Sequence, residues 1–328
     1  MHPTISNISQ WGFVSGRISA LEEGFLSREF FLTMAGQENT DDILRNFQDT
    51  FIGDYFATGI TSDELDSVFD RCFYEMALSL RNDCPSSIPA DIFLLKYDYL
   101  NLKAALTGKS TFLFTTELLP QERLSSITQG NYSELPQPLK ESVTPATFEA
   151  FQIDAGIIDI ALDGSYLRHL LLLANAIKSS MINRYITEMV LAYIVIILWR
   201  AVNQGIALKR YQQYLLPLGD FTGVVNDLIG ANNQDAWQTI IGDKIGDLFN
   251  ESLGSQTDDQ ISIFNLKVSN YLGRIAREGR YQTAGPERVF AFLSGFFTEM
   301  QNLKLVFTGR LNRIDQGIIK ERLRDCYV

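Results

Sequence analysis

Asp98-Tyr99-Leu100-Asn101-Leu102-Lys103-Ala104-Ala105-Leu106-Thr107-Gly108-Lys109 returns later in this chain as Glu299-Met300-Gln301-Asn302-Leu303-Lys304-Leu305-Val306-Phe307-Thr308-Gly309-Arg310, at a constant offset of 201 residues. An acid, Asn-Leu-Lys, an apolar run, Thr-Gly and a base keep their order in both copies. On a helix, Asp98, Asn101, Ala105 and Gly108 form one stripe, and Leu95, Tyr99, Leu102 and Leu106 form an apolar stripe beside it. The second copy repeats both stripes, with Glu299, Asn302, Val306 and Gly309 beside Phe296, Met300, Leu303 and Phe307. The apolar stripe suits a bundle core. The acid and asparagine suit hydrogen bonds to a neighbouring helix end, and the closing glycine suits a helix C-cap. A catalytic carboxylate has no reason to be duplicated on a second equivalent helix, so Asp98 and Glu299 are expected to orient and pack.

A third, worn copy becomes visible once the pattern is known. Leu198-Trp199-Arg200-Ala201-Val202-Asn203-Gln204-Gly205-Ile206 aligns with Val306 to Ile314 at an offset of 108 residues. Here Leu191 and Ile194 replace the acid and the asparagine, which implies a more completely buried or differently packed helix. Repetition at this spacing points to stacked units rather than one enzyme core. Three helical units follow, at 1–110, 111–216 and 217–328.

Outside the repeat, nearly every long segment has helical spacing, and strand-like alternation is scarce. Thr61-Ser62-Asp63-Glu64 is a capping-box pattern, and Thr144-Pro145 and Gly285-Pro286 place proline at a first helical position. Pro89 opens the helix of the first copy. Breaks are expected at Ala35-Gly36, Cys84 to Ser87, Thr128 to Pro138, Pro217 to Gly219 and Gly254-Ser255, with Thr128 to Pro138 the best exposed linker. The reading is an all-α protein of about fifteen helices.

Composition narrows the function classes. The 328 residues are 46% hydrophobic and 20% charged, enough for a substantial core. The net charge of −11 argues against nucleic acid and against adhesion to anionic lipid. Three cysteines (Cys72, Cys84, Cys326) and two histidines (His2, His169) lack metal-ligand spacing, so no metal site is expected and a reducing compartment is the simpler inference. Met1-His2-Pro3-Thr4-Ile5-Ser6 has neither a basic n-region nor an apolar h-region, so no signal peptide is expected. The Asn-x-Ser/Thr matches at Asn7, Asn131 and Asn250 then carry no glycosylation meaning. The most apolar stretch, Val190 to Trp199, covers about 15 Å as a helix, half a bilayer core, and reads as a buried helix. Gly108-Lys109-Ser110 resembles the end of a phosphate loop. The glycine such a loop needs five residues earlier is Lys103 in mid-helix, and the ATP-binding reading fails. Asp154, Asp159 and Asp163 form a possible carboxylate site, but their spacing aligns poorly on one helix face.

Several of these segments together resemble the C-type subunits of the V-type/A-type rotary ATPases, the family that in eukaryotic V-ATPases is represented by the d-type subunits. Trp11-Gly12-Phe13-Val14-Ser15-Gly16-Arg17-Ile18-Ser19-Ala20-Leu21-Glu22, continuing into Phe25-Leu26-Ser27, is similar to that family's opening helix. Phe51-Ile52-Gly53-Asp54-Tyr55 resembles its Gly-Asp-Tyr signature, and Asp98-x-x-Asn101-Leu102-Lys103 its most recognisable element. Ile158-Asp159-Ile160-Ala161-Leu162-Asp163, the helix opened by Pro286-Glu287, and the closing Glu321-Arg322-Leu323 continue the resemblance in order. The middle copy departs from the pattern by lacking its acid, asparagine and lysine.

The resemblance implies three similar helical bundles around a pseudo-threefold axis, shaped as a funnel. It implies a non-catalytic, cytoplasmic, membrane-peripheral socket between the central shaft and the membrane proteolipid rotor ring, linking ATP hydrolysis or synthesis to H+ or Na+ transport. No cofactor, no small-molecule substrate and no direct membrane span are expected. Asp98, Asn101, Lys103, Glu299, Asn302 and Lys304 are the candidate repeat or interface residues. Arg200 and Arg310 close repeated helices and are candidates either to face the cavity or to cap solvated helix ends. The competing reading is a stand-alone helical-repeat scaffold that binds a protein in its concave face.

Overall fold

The computed structural model describes residues 5–37, 52–53, 65–109, 112, 114–133, 135–137, 139–143, 156–215, 219–231, 234–255 and 259–328. Among these residues there are fifteen α-helices and two short 3-10 helices and no strand, so the protein is all-α. The capping-box segment at Thr61 and the Thr144-Pro145 start lie outside the described residues. The other helix signals are met where they are described. The helix Pro286–Leu311 begins on its proline after Gly285, whose φ of 141° is open to glycine. Ser27 accepts a hydrogen bond from the Phe30 N–H at 3.3 Å and starts the helix Arg28–Gly36. The breaks at Gly36, at Cys84 to Ser87 and after Leu253 fall where the sequence places them.

The chain forms two compact units. The first comprises Met1–Phe93, Ser179–Ile182 and Ser269–Val328, and the second Leu94–Lys178 and Asn183–Val268.

In the first unit, α1 (Ile5–Glu22), α2 (Arg28–Gly36), α3 (Leu65–Asp83), α15 (Gln316–Glu321) and the 3-10 turn Glu278–Tyr281 all pack on α14 (Pro286–Leu311). The helix α14 has 26 residues, about 39 Å of rise, and sixteen of them are buried. A helix buried on nearly every side must be apolar around its whole circumference, and Val289 to Leu293 supplies that. Its phenylalanines form an aromatic core. Phe73 stacks on Phe296 at 6.1 Å, Phe93 meets Phe290 at 5.0 Å, and Phe69 meets Phe307 at 5.6 Å. Each fully buried ring contributes about 2–3 kcal/mol by removal from water.

In the second unit, the core is built around Trp199 on α8 (Ser180–Asn203). Its ring meets Phe249 at 4.8 Å and Phe264 at 6.0 Å, while Trp237 stacks on Phe249 at 5.8 Å. The helix α8 is 24 residues long, against the ten of its apolar run, and is long and apolar enough to cross a membrane by length and composition. Half of its most apolar window is buried inside the protein, and Val190, Ile194, Val195, Leu198 and Trp199 are core residues. That burial is what a core helix requires.

Candidate functional site

The two full copies of the repeat lie on helices, as their spacing predicts, but the polar stripe is as buried as the apolar one. On α4 (Ile88–Leu106), Asp98 and Asn101 are both core residues. Asp98 accepts a hydrogen bond from the Thr116 hydroxyl at 2.5 Å, and the same hydroxyl accepts the Leu118 N–H at 3.1 Å. Asp98 therefore fixes the segment that follows its own helix. Lys103 points outward to Asp159 at 2.5 Å, a half-exposed ion pair of small energetic weight.

On α14 the equivalent residues grip different chain. Glu299 accepts the Leu26 N–H at 2.8 Å and so ties α14 to the turn between α1 and α2. Its other carboxyl oxygen has no hydrogen-bond partner among the described residues, and burial pushes its pKa up to about 8 against the lowering effect of the Leu26 bond. That shift favours the protonated, neutral form of Glu299 in the fold. Asn302 uses both ends of its amide on one residue. Its Nδ2 donates to the Arg324 carbonyl at 3.1 Å and its Oδ1 accepts the Arg324 N–H at 2.9 Å. The side chain thus behaves as a short piece of strand that pairs with the closing segment.

The rest of that segment is held the same way. The Asp325 N–H donates to Asn270 at 2.9 Å, Arg277 donates to the Cys326 carbonyl at 3.1 Å, and Arg280 donates to the Tyr327 carbonyl at 3.3 Å. The Tyr327 ring stacks on Phe25 at 4.5 Å, and its hydroxyl donates to Glu22 at 2.5 Å. Glu22 also pairs with Arg288 at 2.5 Å, with both side chains nearly buried. Lys304 is half-buried on α14.

The three helices of the repeat end in a common backbone cap, one the chain also forms at Gly130 outside the repeat. At the first copy, the Gly108 N–H donates to Ala105 and the Lys109 N–H to Ala104. At the worn copy, Gly205 donates to Val202 and Ile206 to Ala201; at the last copy, Arg313 donates to Arg310 and Ile314 to Gly309. Each is a Schellman cap with its central residue left-handed, at φ of 77°, 69° and 55° for Gly108, Gly205 and Arg313. Ile206 and Ile314 stand at the offset of 108 that aligns the two copies.

The expectation that both glycines of the repeat end their helices holds for Gly108 and not for Gly309. Gly309 lies inside α14, where a Cβ would sit 2.7 Å from the Ile319 side chain. It is a glycine of close approach, letting α15 lie against α14. The cap has moved on to Arg313, where a left-handed non-glycine residue costs about 1 kcal/mol. Arg310 reaches its own helix end, donating to the Ile314 carbonyl at 3.5 Å.

Arg200 is exposed and lines a cavity of about 290 Å³ in the second unit. Asp163, Tyr166 and Leu167 from α7 (Gly156–Ile177), Tyr193 and Ile196 from α8, and Asn265 from α13 (Gln260–Arg277) complete its main walls. Asp163 is reached by solvent through the cavity yet lies deep among neighbouring atoms. Burial pushes its pKa up to about 6, assisted by Asp159 and opposed by Lys103 and Arg200. The Tyr166 phenol is driven well upward, first by burial and then by the other tyrosines nearby. The cavity can receive a polar group. Of the three aspartates read as a possible carboxylate site, Asp159 pairs with Lys103, Asp163 lines the cavity, and Asp154 lies outside the described residues. The sequence pattern does not single out Tyr166, Tyr193 or Asn265. Tyr193 alone leaves a trace, as a phenol interrupting the aliphatic run from Val190 to Leu198.

Burial pushes the thiols of Cys72 and Cys84 up to about 12 and that of Cys326 to about 11, and all three are free. None is an activated thiolate. Among the described residues, no group of three or more His, Cys, Asp or Glu side chains is placed to hold a metal ion.

Among the described residues the chain is all-helical, and the buried acids Asp98 and Glu299 and the amide of Asn302 each hold a neighbouring segment of the same compact unit. Residues 14–322 match the family described as the ATP synthase (C/AC39) subunit, and the chain belongs to that family. No curated protein matches the sequence.

Proposed function

We propose that this chain is the central-stalk coupling subunit of a V/A-type rotary ATPase. In this reading it is a non-catalytic socket, cytoplasmic and peripheral to the membrane, that joins the central shaft to the proteolipid rotor ring. ATP hydrolysis or synthesis is thereby linked to H+ or Na+ transport. The family match across residues 14–322 carries the reading.

The hydrogen-bonding pattern supports it. A part that transmits torque must not shear internally. The buried acids and asparagines of the repeat, Asp98, Glu299 and Asn302, hold neighbouring segments of this chain. In the same reading the chain has a threefold plan, with units at 1–110, 111–216 and 217–328 around a pseudo-threefold axis as a funnel, supported by the sequence repeat at offsets of 201 and 108 residues.

Co-purification tests the proposal. The chain is expected to bring down both shaft subunits and the proteolipid ring from solubilised membranes. Recovery as a monomer free of both would favour the stand-alone scaffold.

A further inference from the structure

The tip where α14 turns into α15 is an unusual surface. Leu311, Ile314 and Ile318 lie within eight residues of each other across a tight turn, with 39%, 39% and 48% of their surfaces exposed. Arg310, Arg313 and Lys320 fall within the same stretch, which the exposed Glu321 follows. The acid within that stretch, Asp315, is committed to capping α15 through the Gly317 N–H at 2.8 Å. In a chain of net charge −11, this turn is locally basic as well as apolar.

The backbone adds an independent sign. The same cap is made with glycine at Gly108 and Gly205, and with arginine at Arg313. A charged residue in a conformation that glycine adopts freely carries a local cost, which the chain also bears at Lys178. What the substitution gains is an exposed guanidinium standing beside three exposed aliphatic side chains.

We infer that this tip is a docking point for an acidic, partly apolar protein surface on another subunit of the ATPase. The inference rests on the coupling-subunit reading. Aliphatic side chains framed by arginine suit the anchor of an interface, with the remaining contact area supplied elsewhere on the chain. A protein partner fits better than an anionic bilayer, because so few cations on so acidic a chain bind lipid weakly.

The test uses the full chain and ATPase complex stripped of this subunit, with binding measured by sedimentation. Leu311→Asp combined with Ile318→Asp is expected to weaken binding at least tenfold. Arg313→Gly is expected to weaken it several-fold while raising the melting temperature, which separates docking from folding. If wild type binds and all the tip variants bind equally well, the docking inference is wrong and the coupling reading survives. If wild type itself fails to bind, both fall. Loss of binding to phosphatidylserine vesicles, with binding to the complex intact, would overturn the protein partner in favour of lipid.

Discussion

The two full copies of the repeated helix share a sequence and differ in what they hold. In the first, Asp98 reaches Thr116, eighteen residues away, and organises its own neighbourhood. In the second, Glu299 reaches Leu26, 273 residues away, and Asn302 reaches Arg324 near the closing turn of the chain. The same acid-x-x-Asn spacing serves a local loop in one place and a long-range closure in the other. A repeat of this kind preserves a way of presenting hydrogen-bonding groups from a buried helix, and the chain around each copy decides what is gripped.

The contrast between the copies is tested most severely at Asn302. Replacing it with alanine removes both bonds to Arg324 and leaves a part-buried backbone pair without its partner, so a loss of about 3 kcal/mol is expected in denaturant unfolding. Asn101→Ala in the first copy is expected to cost less, because it does not release the closing segment.

Gly309→Val should cost about 2 kcal/mol through collision with Ile319, and Ile319→Ala in the same chain should recover part of it. Gly108→Ala meets no neighbour within 4 Å among the described residues and pays only for its left-handed backbone, about 1 kcal/mol. An equal cost at both glycines would erase the distinction between close approach and cap.

Glu299→Gln probes the second copy through pH. The carboxyl keeps its proton up to about pH 8 when folded, against an ordinary value of 4.5 when unfolded. Between those limits the folded state holds a proton that the unfolded chain has released, so stability falls as pH rises through that window. The glutamine variant should lack this slope. Its stability relative to wild type is expected to improve by on the order of 2 kcal/mol from pH 6.5 to pH 8.5. A parallel pH profile for the two proteins would show that Glu299 is ionised in the fold.

The smallest effect belongs to the half-exposed pair Lys103–Asp159. Lys103→Ala should change stability by no more than about 0.5 kcal/mol, because two solvated charges gain little from meeting.

Much of the fold was legible in the sequence. Helical period, proline starts and the offsets between copies reveal the helix class and the repeated positions, including the cap at Gly108 and the worn copy ending at Gly205-Ile206. The burial of the polar stripe is harder to read, since a period identifies an apolar face and says nothing about what covers the opposite one. The hint lies in Val289 to Leu293, five residues without a polar side, which only a helix enclosed all round can accommodate. Gly309 reads as a cap and is not one, because close approach and left-handed backbone select the same residue. The partners of Glu299 and Asn302 leave no trace in the sequence. Nothing local in Leu26 or Arg324 marks a backbone group that will be bonded by a side chain far along the chain.

Coupling of the shaft to the rotor ring by this chain, as proposed, is read from the ratio of ions moved to ATP hydrolysed. ATP hydrolysis and ion uptake should be followed together in vesicles carrying the complex, with the chain removed and then restored. The account predicts that the depleted complex hydrolyses ATP without building an ion gradient, and that adding the chain back restores transport in proportion to its occupancy. A depleted complex that still pumps ions at the normal ratio would contradict it.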